Sequence, residues 1–272
     1  MADRSALRHS GTVSVDLGAE DLSPFVVSPE LYPKYLDVSI RQFKVEAWAG
    51  RAPLALADGS ALCSALSVDL GPEDLSPFLV SPELYPKYLD VSIRLVESLE
   101  DAGDVLVNSF RDLEPQEAEY MESRWRAKTV GPTLPSFFLD DGRLPSNKAY
   151  GLEVLAHKAI GCFLTHCGWN STTEAIVAGV PMVAMPRSAD QPTTAKYVGS
   201  AWGIGMRMRA DVKGLVRREE AERCIRKVMD AEGKDEYRRN ATKWMKMAKE
   251  AMQEGGSLDK NIAEFAAKYL SI

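Results

Sequence analysis

The residues best suited to chemistry lie in one short segment, residues 166–174, which reads HCGWNSTTE. The segment follows an apolar run typical of a strand and precedes a helical pattern. A helix that begins here presents main-chain N–H groups without intrahelical acceptors and about half a positive charge, which suits a phosphate. Gly168 lets the backbone approach a ligand, and His166 can point into the crevice where open α/β sheets bind ligands. The segment therefore predicts a phosphate site.

The same residues also have interpretations that need no ligand. Ser171 and Glu174 have the S-x-x-E spacing of a capping box, in which both side chains serve only to cap a helix. Trp169 is equally compatible with an aromatic of the hydrophobic core. The residue types and their spacing leave these alternatives open.

Metal binding is excluded by strand geometry for the candidate ligands His157, Cys162, His166 and Cys167. Cys162 and His166 are roughly 13 Å apart along one strand. His166 and Cys167 face opposite sides if the strand continues. A zinc site cannot close from those positions. Cys167 also lacks a placed partner that could make it a nucleophile, so the sequence gives no catalytic residue and no metal site.

Strands alternate with helices around the candidate site, which predicts an α/β fold with a parallel, Rossmann-like sheet. Helical spacing dominates toward the C-terminus, where Gly255 and Gly256 break the pattern and Ser257 can cap a last helix. The expected strands are residues 104–110, 160–165, 181–185 and 204–209, and the expected helices before the C-terminal ones are residues 113–127, 171–178 and 191–201.

Composition narrows the class of protein. The chain has 272 residues, a formal charge of −6 and a pI of about 5.3, so it lacks the basic field of a nucleic-acid-binding protein. Its apolar runs are shorter than the roughly 18 residues of a membrane span, and its first residues lack the apolar region of a signal peptide. Four cysteines at irregular spacing give no disulfide framework. We expect a cytoplasmic protein without stable membrane insertion.

An internal duplication marks the N-terminal part of the chain. Residues 14–41 and 67–94 are identical except for Ala19 against Pro72 and Val26 against Leu79. Solenoid repeats diverge on their surfaces and occur in three or more copies, so this pair indicates a recent duplication. We expect the first copy to be additional, poorly ordered material.

Residues 152–196 resemble the signature of plant family 1 UDP-glycosyltransferases, a long and specific motif. Residues 67–150 resemble the end of the N-terminal domain of these enzymes and their interdomain linker, and the C-terminal residues resemble their tail. The resemblance implies GT-B architecture and four parts. They are a partly duplicated segment, 1–66; a remnant of the acceptor domain, 67–130; a linker, 131–151; and a partial C-terminal UDP-sugar-binding domain with C-terminal helices, 152–272.

The resemblance also implies a reaction and the residues that hold its donor. Family members transfer glucose from UDP-glucose to a small lipophilic acceptor, such as a phenolic or carboxylate, with inversion, and they use no further cofactor. His166 would bind the diphosphate, Glu174 the ribose hydroxyls, and Asp190 with Gln191 the sugar hydroxyls. Taken alone, Asp190 and Gln191 indicate a helix start. The implied donor-binding residues are His166, Gly168, Trp169, Asn170, Ser171, Glu174, Asp190 and Gln191.

The chain departs from the family pattern in two ways that predict impaired activity. The signature normally opens with W-x-P-Q, whose Trp stacks on uracil, whereas residues 148–151 here read KAYG. The chain also passes directly from the linker to the second half of the C-terminal sheet. In the sheet order 3-2-1-4-5-6 this leaves strand 160–165 as an exposed apolar edge and removes half of the donor pocket.

A general base is also missing. The sequence has three histidines, His9, His157 and His166, and none has the context of the family's N-terminal base. Two hypotheses follow. The chain is a UDP-glucose-dependent transferase with impaired activity, or it is a non-catalytic fragment, which binds nucleotide sugar weakly, partners full-length paralogues or is an artefact of gene structure. The open strand edge also predicts self-association.

Overall fold

The computed structural model describes residues 67–134 and 154–270. Their strands form two parallel sheets. One sheet pairs β1 with β2, and the other has the order β3-β4-β5, with Leu164 opposite Val183 and Val183 opposite Met206. The fold class is α/β, as predicted. The strands are β1 Val105–Val107, β2 Ala127–Thr129, β3 Phe163–Thr165, β4 Met182–Ala184 and β5 Gly205–Arg207.

Helices connect these strands and cover the sheets. The helix after β3 begins at Trp169, two residues before the predicted start at Ser171, because Gly168 and not Ser171 is its N-cap. It ends at Gly179, whose positive φ of 67° suits the left-handed conformation that follows many helices. The helices are α1 Pro77–Val80, α2 Pro86–Glu100, α3 Pro115–Trp125, α4 Trp169–Ala178, α5 Gln191–Gly199, α6 Arg218–Met229, α7 Ala231–Met252 and α8 Ser257–Leu270.

Strand β4 is the centre of the second sheet. All three of its residues are fully buried. It pairs with β3 on one side and β5 on the other. A continuous apolar run suits a parallel strand that is covered on both faces. The carboxyl ends of β3 and β5 therefore flank the carboxyl end of β4.

Strand β3 lies at an edge of the sheet that the described residues form. Phe163 N donates to Pro181 O, and Thr165 O accepts from Met185 N, so both residues pair toward β4. Alternate residues of a parallel strand direct their main-chain groups to opposite sides, so Leu164 directs its own away from β4. The Leu164 side chain is 48% exposed. The predicted apolar edge is thus present within this part of the chain.

One hydrophobic core crosses the predicted boundary between the acceptor-domain remnant and the sugar-binding domain. It joins Phe110 and Leu113 to Trp169 and Trp202. The indole of Trp169 donates to Asn108 O at 2.7 Å, and that of Trp202 donates to Leu113 O at 3.0 Å. The two units therefore share a packed interior, and the boundary near residue 130 stays a prediction.

The last helix, α8, returns to the first sheet. Asn261 donates to Thr129 O at 2.7 Å, and Glu264 pairs with Lys128. Asp104 accepts hydrogen bonds from the side chains near the end of the helix, Lys268 and Tyr269. These contacts hold the C-terminus of the chain against β2 and the residue that precedes β1.

Two expectations concern residues that the structure does not describe. The duplicated segment 1–66 lies outside the described residues, as do 135–151 of the predicted linker.

Among the helices of residues 67–134 and 154–270, none combines the length and the apolar character that a membrane crossing requires.

Candidate functional site

The turn after β3 aims His166 outward. Cys167 adopts a positive φ of 64°, which is uncommon for a residue with a side chain, and its amide donates to Thr165 Oγ1 at 3.0 Å. Because Cys167 turns inward and is fully buried, the preceding His166 side chain stays exposed at the carboxyl end of the strand. This is the position that the sequence predicts for a group in the ligand crevice.

Gly168 and His166 are packed against each other. A Cβ atom on Gly168 would lie 2.5 Å from Nε2 of His166, closer than real contacts allow. The φ of Gly168 is −62°, so its backbone requires no glycine. The imidazole instead occupies the space that a side chain at residue 168 would need, so a larger residue there would displace it.

The first turn of α4 presents the amides that the sequence analysis predicts. The first helical hydrogen bond runs from Thr172 N to Gly168 O at 3.0 Å. The amides of Asn170 and Ser171 precede it, in the turn where a helix offers no main-chain acceptors. Both residues are half-buried. The helix has ten residues, so its N-terminus carries the partial positive charge that favours an anion.

The capping-box interpretation of Ser171 and Glu174 is wrong. The N-cap residue is Gly168, which has no side chain, and Ser171 is the third residue of the helix. A capping box requires the hydroxyl at the N-cap position. Ser171 and Glu174 are both half-buried on the first two turns. A capping box therefore does not account for the presence of Ser171 and Glu174 at these positions.

Trp169 is an aromatic of the core, as one of the two open interpretations holds. Its side chain is 1% exposed, lies 6.2 Å from the ring of Trp202 and donates to Asn108 O. A ligand at the start of the helix cannot reach the indole. What Trp169 offers toward such a ligand is its main chain.

Asp190 and Gln191 begin the next helix, α5. Asp190 is its N-cap, is 3% exposed and makes no side-chain cap hydrogen bond. The side-chain oxygen of Gln191 accepts the amides of Arg187 and Ser188 at 2.9 and 3.0 Å. These bonds fix the Gln191 side chain against the loop after β4. The helix-start interpretation is correct for this pair, and it is compatible with a second role toward a ligand.

The carboxyl ends of β3 and β4 bring the two parts of the candidate site together. Burial above all, together with the negative charge of Asp190, raises the pKa of the Cys167 thiol to about 12, whereas Arg207 opposes the shift. The Asp190 carboxylate is thus an electrostatic neighbour of the turn that carries His166. A protonated, buried Cys167 is not a nucleophile. Among the described residues, no three side chains of metal-ligand type form a group.

Sequence reasoning missed the residues that border this site on the other side. Arg207 donates to Asp74 Oδ1 at 2.5 Å, and Thr193 donates to Asp74 O at 2.6 Å. Asp74 belongs to the second copy of the duplicated sequence, whose apolar side chains also pack on Ala189. The sequence shows residues 67–94 as a repeat, but nothing in the repeat itself indicates that Asp74 contacts Thr193 and Arg207.

Parallel strands covered by helices, with a glycine-capped helix after β3, are the architecture of one half of a GT-B fold. A family described as "UDP-glucoronosyl and UDP-glucosyl transferase" matches residues 144–260. The rice protein Os79, in complex with UDP, superimposes with a TM-score of 0.79 at 46% identity, covering 86% of this chain and 71% of Os79. The chain belongs to this UDP-glycosyltransferase family.

Curated plant relatives agree with this assignment. The chain is similar to UDP-glucosyltransferase UGT13248 of barley, at 47% identity over 84% of this chain and 66% of the relative. It is similar to UDP-glycosyltransferase 79 of rice, at 49% identity over 75% of this chain and 62% of the relative. The chain thus spans less than two thirds of the length of these relatives.

Proposed function

We propose that this chain binds a UDP-sugar at the start of α4 and is a UDP-glucose-dependent glucosyltransferase with impaired transfer. The diphosphate lies against the amides of Asn170 and Ser171 beneath the His166 imidazole. Glu174 holds the ribose, and Asp190 with Gln191 holds the sugar hydroxyls. Trp169 takes part through its main chain, and no further cofactor is required.

The observation that carries this proposal is the cap of α4. A glycine N-cap leaves the first-turn amides without a capping side chain, and the exposed His166 packs directly over that glycine. Glycine is itself a favoured N-cap, but unlike Ser, Thr, Asp or Asn it has no side-chain oxygen that would occupy the first-turn amides. An anion beside these amides supplies the acceptors that the cap lacks.

The acceptor is a small lipophilic molecule with a hydroxyl or carboxyl group, and transfer inverts the anomeric carbon. Structures of rice Os79 hold UDP with deoxynivalenol-3-glucoside and U2F with trichothecene. These ligands support a small acceptor and add a trichothecene to the phenolics and carboxylates as test compounds. A cytoplasmic location, expected from the cysteine spacing, belongs to the same proposal.

We infer impaired transfer because neither histidine in the part of the chain that the structure describes, His157 or His166, is placed as a general base. His157 precedes β3, whereas the candidate crevice lies beyond the opposite end of that strand. Its Nδ1 accepts the amide of Ala159 at 3.2 Å. His166 is assigned to the diphosphate. The alternative, a non-catalytic binder or a partner of full-length paralogues, keeps the donor site and lacks transfer altogether.

Calorimetric titration of the full chain with UDP and UDP-glucose tests the donor site. We expect saturable binding that His166→Ala weakens about tenfold, or 1.4 kcal/mol, because a charged phosphate contact is lost. His157→Ala is the matched control, since that histidine is also exposed and lies outside the site. Absence of saturable binding, or equal losses in the two variants, would overturn the proposed donor site.

Transfer assays separate the two functional hypotheses. Purified chain, UDP-glucose and a panel of phenolics, carboxylates and a trichothecene are incubated, and glucosides are measured by mass spectrometry. Slow product formation that depends on Asp190 supports an impaired transferase. Saturable donor binding with no glucoside from any acceptor supports the non-catalytic alternative.

A further inference from the structure

The second copy of the duplicated sequence occupies a well-defined dock on the sugar-binding domain. Arg207 binds the Asp74 carboxylate and also donates to Glu73 O at 2.6 Å. Lys196 lies 3.7 Å from the other carboxylate oxygen of Asp74, and Thr193 binds its carbonyl. We call the surface formed by Thr193, Lys196 and Arg207 the Asp74 dock.

Apolar packing completes the dock. Leu75, Phe78 and Leu79 are buried together, and Ala189, one residue before Asp190, packs against them. Upstream, Ser67 donates its amide and hydroxyl to Glu117 at 2.8 and 2.7 Å. The bound segment thus has one buried charge, three buried apolar side chains and a polar anchor.

The first copy carries almost the same set of docking groups. Asp21 corresponds to Asp74, Leu22 to Leu75 and Phe25 to Phe78. Of the side chains that make these contacts, one differs: Val26 stands in place of Leu79. The charge and the apolar spacing that the Asp74 dock recognises therefore occur twice in one chain, whereas the dock occurs once in the described residues.

We propose that residues 14–27 are an alternative occupant of the Asp74 dock within the same molecule. Asp21 takes the place of Asp74 on Arg207 and Lys196, and Leu22 and Phe25 fill the apolar positions. The chain then exists in two docked arrangements of one fold. The exchange alters the border of the candidate site at Ala189, because that residue packs on the docked copy.

Chain length permits this exchange. Roughly 70 residues connect residue 27 to Leu99, a buried residue beside β1 that both arrangements share, and their extended length reaches roughly 200 Å. The two copies compete intramolecularly, which gives the first copy an effective concentration that a second molecule in dilute solution does not match.

The differences between the copies favour the second. Val26 buries one methylene less than Leu79, and Ala19 lacks the preset backbone of Pro72 at the first position of a helical turn. The continuous connection of the second copy to α2 favours it further. The first copy is therefore the minor occupant of the wild-type chain, and its population rises when the second copy is weakened.

Zero-length carbodiimide cross-linking distinguishes the occupants. The reagent joins the Lys196 amine to whichever aspartate lies beside it. The linked peptide is then assigned to one copy by its mass, because the first copy has Ala19 where the second has Pro72. We expect mainly Lys196–Asp74 links in the wild type and at least a fivefold rise of Lys196–Asp21 links in Asp74→Asn. The Lys128–Glu264 pair supplies an internal control, because its link reports an intact fold in the same sample.

Each outcome decides the proposal. Asp74→Asn that keeps the Lys128–Glu264 link and gains no Lys196–Asp21 link overturns it. Links that form only between isotopically distinct molecules show that a second copy, not the same chain, is the occupant, and also overturn it. If Asp74→Asn does not fold, excess isotopically labelled peptide of residues 14–41 is added to the wild type, where the labelled peptide must form the Lys196–Asp21 link and its labelled Asp21→Asn form must not. Failure of that pair of results equally contradicts the proposal.

Discussion

At the scale of single residues, the candidate site depends on a glycine, Gly168, whose lack of a side chain leaves room for the His166 imidazole. His166 is exposed and rests on Gly168, where any Cβ would meet the imidazole. The imidazole thus occupies the space beside the N-cap of α4 that a larger residue at position 168 would fill. Glycine at this position acts through the space it leaves, since its φ of −62° is accessible to every residue.

Gly168→Ala therefore separates binding from stability. We expect UDP affinity to fall about tenfold, because the added methyl displaces the imidazole. Stability changes by less than about 1 kcal/mol, since the entropic gain of Ala over Gly and its poorer N-cap propensity oppose each other. Calorimetry and urea unfolding measure the two effects. Unchanged UDP affinity in a folded variant would show that the imidazole does not take part in binding.

Residue types in the segment HCGWNSTTE predicted the local structure around the candidate site, but not where each side chain lies. The strand-to-helix transition and the exposed His166 follow from local pattern. The S-x-x-E spacing was ambiguous, because the helix start depends on whether the chain turns at Gly168 or at Ser171. That turn is set by Cys167, whose positive φ no local propensity indicates.

At the scale of elements, two tryptophans tie the unit that contains β3, β4 and β5 to the unit that contains β1. The Trp169 and Trp202 indoles each donate to a main-chain carbonyl across the boundary. Tyr197 also donates to Glu117 at 2.5 Å, and Glu117 in turn holds Ser67. Directional bonds inside a shared core fix the orientation of the two units more strictly than apolar packing does.

Trp202→Phe tests this connection. We expect a loss of about 2–4 kcal/mol in the free energy of unfolding, because a buried Leu113 carbonyl loses its donor and a smaller ring leaves a cavity. Trp244→Phe is the control, since its half-buried indole donates to Trp202 O within the sugar-binding domain. Urea unfolding measures both. Equal losses of unfolding free energy in the two variants would mean that the bond from Trp202 to Leu113 O contributes no more than the bond from Trp244 to Trp202 O.

The hydrogen bonds of Glu220, which join α6 to the segment after β5, predict that the stability of the fold falls in acid. Glu220 accepts hydrogen bonds from Arg223 and from the amide of Arg209, and these, Arg223 first, lower its pKa to about 2 from an ordinary value of 4.5. A lowered pKa in the folded state means that the stabilisation is complete above pH 4.5. It is lost as the pH falls toward 2.

Thermal unfolding as a function of pH measures this effect. We expect Glu220→Gln to lower the melting temperature at pH 6 by roughly 2–4 °C and to reduce the further fall between pH 4.5 and 2. Glu222→Gln is the control on the same helix, because the exposed Glu222 carboxylate pairs with Arg226, one turn further along α6. A pH profile of Glu220→Gln parallel to that of the wild type would contradict the prediction.

At the scale of the whole molecule, the sequence predicted a parallel sheet and the chain order of its strands. Alternating apolar runs gave β3, β4 and β5 in chain order, and the structure pairs them in that order. Long-range packing was not predictable, because a repeat such as residues 67–94 reveals its partner only when the fold places Arg207 beside it. Contacts between distant segments depend on geometry that no local pattern encodes.

The edge at β3 leads to a prediction about assembly. Leu164 directs its main-chain groups away from β4, and its side chain is 48% exposed. Such an edge can pair with another strand, so we propose that the chain self-associates through β3. A charged side chain at the edge opposes this pairing, because its desolvation is costly in a strand interface.

Leu164→Lys should therefore reduce the mass measured by light scattering after gel filtration, with the wild type forming a dimer or larger species at tens of micromolar. Val212→Lys is the matched control, since Val212 is an equally apolar, fully exposed residue in the loop after β5. The control should retain the wild-type mass. A wild type that stays monomeric, or a Leu164→Lys variant that assembles as the wild type does, would show that another surface or none at all governs association.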